Sequence, residues 1–299
     1  MTATALPPPP GQTPPDASPR RRGLFGYVLL LPGGLWLALF FVVPMVTLAA
    51  SSLYDPAGSL QDGYAMTGRL ANYGEAIQDY AGTFGRSMFY SVPATAACIV
   101  LGYPLAYAIA FKAGRWKNLM LVAVIAPFFT SFLIRTLSWK LLLGDNGFIV
   151  DTLQFLHILG ADGHLLATPF AVITGLTYNF LPFMVLPLYA SLEKIDLRLV
   201  EAGADLYASP FMTFRKVTLP LSMPGLVAGT LLTFIPASGD YINAELLGNP
   251  RTRMIGNEIQ DLFGAGALPH AAALSVTLMA AITVMVLFYV RRAGTEELL

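Results

Sequence analysis

From Leu24 onward, long apolar stretches alternate with short polar ones. A spanning helix needs about 20 mostly apolar residues, and six stretches qualify: roughly 24 to 52, 87 to 111, 117 to 142, 169 to 191, 219 to 237 and 270 to 290. The fifth, LPLSMPGLVAGTLLTFIPA, is short and bounded by proline, so it fits either a lipid-facing span or a helix buried among others. Before it comes a polar interruption, VEAGADLYASPFMTFRKVTLPLSMPG, residues 200 to 225. Leu197, Val200 and Ala204 recur there at helical spacing behind Asp196, which is suited to capping a helix start. Ser209 and Pro210 read as the cap and first position of a second short helix, with Phe211 and Phe214 one turn apart and Arg215 and Lys216 at its end. The pattern predicts a helix, a sharp turn and a helix lying on a surface, suited to docking a partner or to forming a solvated loop.

Composition agrees with the spans. Of 299 residues, 55% are apolar and 12% charged, about half the charged share of a soluble domain. The net charge of zero gives no global reason to bind nucleic acid. Residues 1 to 23, MTATALPPPPGQTPPDASPRRRG, hold almost nothing that can be buried and read as a disordered tail. The run behind Arg20, Arg21 and Arg22 is too long for a signal-peptide core and is expected to stay as an anchor. Cys98 has no partner cysteine and reads as a small buried residue. His157, His164 and His270 show no ligand spacing, so no metal site is expected.

Orientation follows from Lys and Arg. With the N-terminus cytoplasmic, twelve basic residues fall on the cytoplasmic side against four outside (Arg69, Arg86, Arg251 and Arg253), while Arg135 and Lys140 lie in or at the end of the third span. The excess of positive charge inside places both termini, and the polar interruption, in the cytoplasm. The external loops hold eleven acids, from Asp55 to Asp261, against those four bases. This fits an entrance that favours cations, and equally acids that collect where bases are excluded.

Glu201 and Ala202, followed at fixed distance by Val217, Leu219 and Pro220, resemble the EAA signature of permease subunits in binding-protein-dependent ABC importers. There a Glu-Ala-Ala triplet precedes a Gly and then Ile-x-Leu-Pro. Gly203 stands here for the third Ala and Tyr207 for the Gly. In the family that Gly falls at the turn between two helices, where a left-handed backbone is easiest for glycine. A tyrosine held so would cost roughly 1 to 2 kcal/mol, so either the turn differs or a partner compensates. APFFTSFLIRTLSWKLLLGDNG (126 to 147) and FIPASGDYINAELLGNP (234 to 250) resemble the spermidine/putrescine permease subunits, particularly the first of the two. Ferric iron, sulfate and thiamine permeases share the EAA motif.

The resemblance implies an all-α membrane protein with the type I ABC importer permease fold: six transmembrane helices and a cytoplasmic coupling-helix pair. Its expected organisation is a cytoplasmic tail over 1–23, a permease domain over 24–292 with the coupling segment at 192–220, and a cytoplasmic tail over 293–299. Expected partners are a dimer of ATPase subunits, a second and related permease, an external substrate-binding protein and the lipid of a bacterial inner membrane. The chain has no GxxxxGK[ST] phosphate loop, so ATP and Mg would be bound by the ATPases; it is expected to hold no cofactor and to be no enzyme. Glu201 would make the ATPase contact, Ala202 and Gly203 would permit close approach, and Phe211 and Phe214 would fill the receiving groove. Packing within the chain is the competing reading for these residues.

For a pathway, Arg135 and Asp240 matter most, because ionisable groups at membrane depth are costly and face an interior. Asp240 can meet a substrate ammonium, with Glu245 a few residues beyond; alternatively it pairs with Arg135 or Lys140. Trp139, Tyr178 and Tyr241 can add cation–π contacts or act as interfacial anchors. An ion-coupled secondary transporter also uses proline-broken helices and midplane charges, but gives no reason for the EAA spacing. An intramembrane hydrolase would call for a motif such as HExxH or GxSxG, and the chain has neither.

Overall fold

The computed structural model describes residues 24–160, 162–205 and 207–293. The tails expected over 1–23 and 293–299 lie, apart from position 293, outside them. The chain divides into two compact units, one ending at Leu48 and the other beginning at Ala49. The first contains α1 (Leu24–Leu37), a π-helical turn (Ala38–Val42) and the start of α2 (Val43–Ser51). Its apolar residues run around the whole helix, as a lipid-immersed span requires.

The second unit is helical throughout, with two isolated bridges (Tyr54 to Met66, Ser59 to Gly63) and no strand among the described residues. The long helix α3 (Ala71–Tyr107) continues through a π-helical turn at Ala108–Lys112. Next come α4 (Lys117–Ile125), a 3₁₀ turn (Ala126–Phe129), α5 (Phe132–Leu143) and the short α6 (Phe148–Phe155). Then follow α7 (Pro169–Glu193), α8 (Leu197–Asp205), α9 (Pro210–Thr213) and, after a π-helical turn over Phe214–Thr218, α10 (Leu219–Ser238). Two short helices, α11 (Ile242–Leu247) and α12 (Ile255–Gly264), precede α13 (Leu268–Ala293). Among the described residues five helices are long and apolar enough to cross a membrane, and a sixth span is present if α4 and α5 count as one broken span.

Helix α7 is the centre of the unit. On one side Met184, Val185, Leu188 and Leu192 bury themselves against Cys98, Tyr103, Ala106 and Ile109 of α3 and its π turn. Cys98 is fully buried, its thiol 3.3 Å from the Thr177 carbonyl oxygen. Helix α10 comes so close to α7 that a Cβ on Gly225 would lie 2.5 Å from the Pro187 carbonyl oxygen. Small residues of this kind let helices approach where no hydrophobic effect separates helix from lipid.

Two spans differ from expectation. The second helix begins at Ala71, well before the apolar run at 87, because its first turns are amphipathic: Ala76 is buried against Ile255, Ala273 and Leu274 while Glu75 and Asp79 stay outside. Hydropathy finds the lipid-facing part of a helix and misses such an extension. The third span is not one straight helix over 117 to 142 but two, bent by 95°. Pro127 has no N–H and its ring clashes with the carbonyl four residues back. Thr130 then turns extended (φ −90, ψ 153), with its backbone N–H and hydroxyl both donating to the Pro127 carbonyl at 3.1 and 2.7 Å. That carbonyl is satisfied locally, so the break can persist at membrane depth.

Candidate coupling and pathway sites

The polar interruption folds as a tight helix pair. Asp196 accepts the Arg198 N–H at 2.9 Å, and α8 runs to Asp205. The Ser209 hydroxyl accepts the Met212 N–H at 3.3 Å, with Pro210 as the first residue of α9. Between them Tyr207 holds φ +56, the left-handed conformation in which glycine is easiest, and its side chain is 99% exposed. The turn thus keeps its left-handed geometry with a tyrosine in it, at a cost of roughly 1 to 2 kcal/mol. Glu201 and Ala202 are exposed, and Glu201 makes no ion pair among the described residues. Phe211 is exposed as well.

Gly203 and Phe214 look inward instead. A Cβ on Gly203 would sit 3.0 Å from the Thr213 side chain, so the close approach at this position is between α8 and α9 of the same chain. Phe214 is half-buried, edge-on to Tyr103 at 5.4 Å and to Tyr107 at 6.4 Å. Its ring fastens the helix pair to α3, as the reading of packing within the chain expects. Leu219 joins the same α3–α7 cluster, which ties the last part of the signature to the membrane core.

Around α5, α7 and α11 lies a buried polar knot. The Asn179 side-chain amide donates to Thr136 Oγ1 at 3.1 Å and to Asn243 Oδ1 at 3.0 Å; Thr136 Oγ1 and Asn243 Oδ1 are 3.4 Å apart. Asp240 sits in the turn between α10 and α11, 8% exposed, where its Oδ1 accepts the Asn243 N–H at 2.8 Å and so caps α11. It makes no ion pair with Arg135, Lys140 or any other described residue. Burial without a cation pushes its carboxyl up to about 6.

Arg135 is 7% exposed, with Nε and Nη1 lacking any hydrogen-bond partner; its guanidinium lies 5.6 Å from the Phe132 ring centre and 6.0 Å from that of Phe128. Trp139 and Tyr178 stack edge-on at 5.3 Å. Tyr241 and Glu245 are exposed; the Asn257 amide donates to the Tyr241 carbonyl at 3.0 Å and to Glu245 Oε2 at 3.2 Å. The structure therefore joins Asp240 to the knot through Asn243, leaves Arg135 against Phe128 and Phe132 one residue before Thr136, and places Glu245 on the exposed side of α11. Thr136, Asn179 and Asn243 escaped the sequence reading. The signal was present in Asn179, an amide in the middle of the fourth apolar stretch, where an unpaired polar group is expensive.

Residues 63–293 match the family described as binding-protein-dependent transport system inner membrane component. The chain is 37% identical over 258 residues to the spermidine/putrescine transport system permease protein PotB of Haemophilus influenzae, covering 86% of this chain and 90% of that one. It is 32% identical over 298 residues to the inner membrane ABC transporter permease protein YdcU of Escherichia coli, covering 93% and 92%. A bacterial ABC transporter that imports the acidic polysaccharide alginate shares the fold, with a TM-score of 0.64 at 17% identity over 91% of this chain and 96% of that one. The chain is a multi-pass membrane protein and belongs to the family of binding-protein-dependent transport system inner membrane components.

Proposed function

We propose that this chain is a permease subunit of an ABC importer that carries a polyamine of the spermidine/putrescine class. The observation that carries the reading is the 37% identity to a spermidine/putrescine permease over nearly the whole of both chains. The buried Asp240 supports it, because an ammonium in a low-dielectric passage needs a negative charge beside it. In this reading a second, related permease completes the pathway, an external binding protein delivers the cargo, and a dimer of ATPases binds ATP and Mg. A tail over 1–23, the permease domain over 24–292 and a tail over 293–299 complete the proposed organisation. Reconstituted with its cognate partners in liposomes, the complex is expected to import radiolabelled spermidine or putrescine with ATP hydrolysis. A complex that hydrolyses ATP with its loaded binding protein yet imports neither would overturn the substrate and return ferric iron, sulfate and thiamine.

The segment 192–220 is proposed as the cytoplasmic ATPase dock, with Glu201, Ala202, Tyr207 and Phe211 presented to the partner and both termini on the same side. The twelve-to-four distribution of basic residues motivates the orientation. Exposed Glu201 and Phe211 motivate the contact. One experiment tests both, using Glu201→Cys with Cys98→Ser and an impermeant thiol reagent. The cysteine is expected to stay unlabelled on whole cells, to label in inside-out vesicles stripped of ATPase, and to be protected when ATPase is restored. Labelling on whole cells reverses the orientation; equal labelling with and without ATPase removes Glu201 from the interface.

A further inference from the structure

Two opposite charges are buried and neither has an ionic partner among the described residues: Arg135 precedes Thr136 of the polar knot in α5, and Asp240 caps the helix that carries Asn243. Arg135 ends in two hydrogen-bond donors without acceptors. Asp240 accepts one backbone N–H and meets no cation among the described residues. The connection between them is short: Arg135 is followed in α5 by Thr136, whose hydroxyl lies 3.4 Å from Asn243 Oδ1, and the Asn243 N–H binds Asp240. Lys140, the other base of α5, is exposed and can stay hydrated, so only Arg135 needs an acceptor from the protein.

Unpaired buried charges of both signs are costly, and their being held apart calls for a use of the separation. The means to join them is present. Helix α5 starts directly after the extended Thr130, at the 95° break, and a few residues able to absorb a change in φ and ψ are what a hinge requires. The guanidinium is held in this state by the faces of Phe128 and Phe132, contacts that a side-chain rotation can exchange for a carboxylate.

We propose that Arg135 is an internal counter-cation, which pairs with Asp240 when the cargo ammonium leaves it, so that cargo release and formation of the Arg135–Asp240 ion pair are one event. The proposal rests on the reading of Asp240 as a pathway acid for a polyamine. Guanidinium and ammonium repel one another, so they occupy the carboxylate in turn. With Arg135 held on Phe128 and Phe132, the carboxylate is left open to cargo. Arg135 then replaces the departing ammonium and spares the protein an unpaired carboxylate at the moment of release. In this scheme Arg135 acts through Asp240 and is a positioning residue.

The test uses the full reconstituted complex. With Cys98→Ser as background, the pair Arg135→Cys and Asp240→Cys is exposed to a bifunctional thiol cross-linker of about 8 Å span, longer than a direct disulfide can bridge, in the nucleotide-free and vanadate-trapped states. A cross-link that forms in one state and not in the other supports the proposal; one absent from both, or equal in both, overturns it. In the turnover arm, Arg135→Gln is expected to lower import at saturating loaded binding protein by about tenfold, with ATPase association kept. Arg135→Lys restores it to within about threefold, and adding Arg135→Gln to Asp240→Asn lowers the residual rate no further. Wild-type import by Arg135→Gln, or no rescue by Lys, overturns the proposal. A wild-type complex that imports no spermidine defeats the polyamine reading instead, and the cross-linking arm, which needs no cargo, still decides the pair.

Discussion

Asp240→Asn is expected to make the complex more stable at pH 7 and a poorer importer. The two effects have one cause. The native carboxyl keeps its proton up to about 6, against an ordinary 3.8, because it is buried with no cation beside it. A carboxylate with a raised value leaves folding undisturbed below about 3.8, weakens it progressively as pH rises to about 6, and imposes the whole penalty above that. Asparagine carries no charge and still accepts the Asn243 N–H that caps α11, so the variant escapes the penalty without losing the cap. Thermal unfolding of the purified complex should therefore show a higher midpoint for the variant at pH 7, with the gain roughly halved near pH 5. Import of spermidine should fall by about 10- to 100-fold, the equivalent of losing one charge-assisted contact to the ammonium at about 1.5 to 3 kcal/mol. Normal import would reduce Asp240 to a helix cap. A variant no more stable than wild type at pH 7 would mean that something in the complex already neutralises the acid.

That combination, a residue costly to the fold and useful to the passage, was only half legible in the sequence. Asp240 stood out because a carboxylate beside an apolar stretch is expensive wherever it is buried, and that argument needs no coordinates. What surrounds it was not legible. Nothing local marks Asn243, three residues on, and Thr136 and Asn179 come from distant parts of the chain, brought together only when α5, α7 and α11 pack. The spans were legible for the opposite reason: hydropathy is a sum along the chain and does not depend on tertiary contacts. It failed where local geometry decides, at Pro127 and Thr130, because APFFTSF stays apolar straight across the break. The helix pair at 197–213 could be read from Asp196, Ser209 and Pro210, whose capping is local. For Phe214 spacing left a partner's groove and packing within the chain both open, because spacing says which residues share a face and not that Tyr103 lies against it.

The turn that holds Asp240 gives the second large effect. Gly256, the second residue of α12, lies against that turn so closely that a Cβ there would be 2.4 Å from the Gly239 carbonyl oxygen and 3.0 Å from the carbonyl carbon and oxygen of Asp240. These are backbone atoms and cannot rotate aside as a side chain would. The start of α12 is itself pinned: the Ile255 N–H donates to Ser87 Oγ at 2.7 Å and Ile255 is fully buried. Gly256→Ala must therefore displace either the helix start or the Asp240 turn. Overpacking of this kind costs about 1 to 3 kcal/mol, more than the 0.5 to 1 kcal/mol that alanine gains over glycine in a helix. A misplacement near 1 Å at a reacting or binding centre can cost about a hundredfold in rate. The unfolding midpoint is expected to drop by several degrees and import to fall by about tenfold or more. Gly264→Ala, at the other end of the same helix with nothing within 4 Å of its added Cβ, is the control and should change stability by no more than about 0.5 kcal/mol. If both alanine variants match the wild type in midpoint and import, α12 does not hold the Asp240 turn in place, and the carboxylate is positioned by α10 and α11 alone.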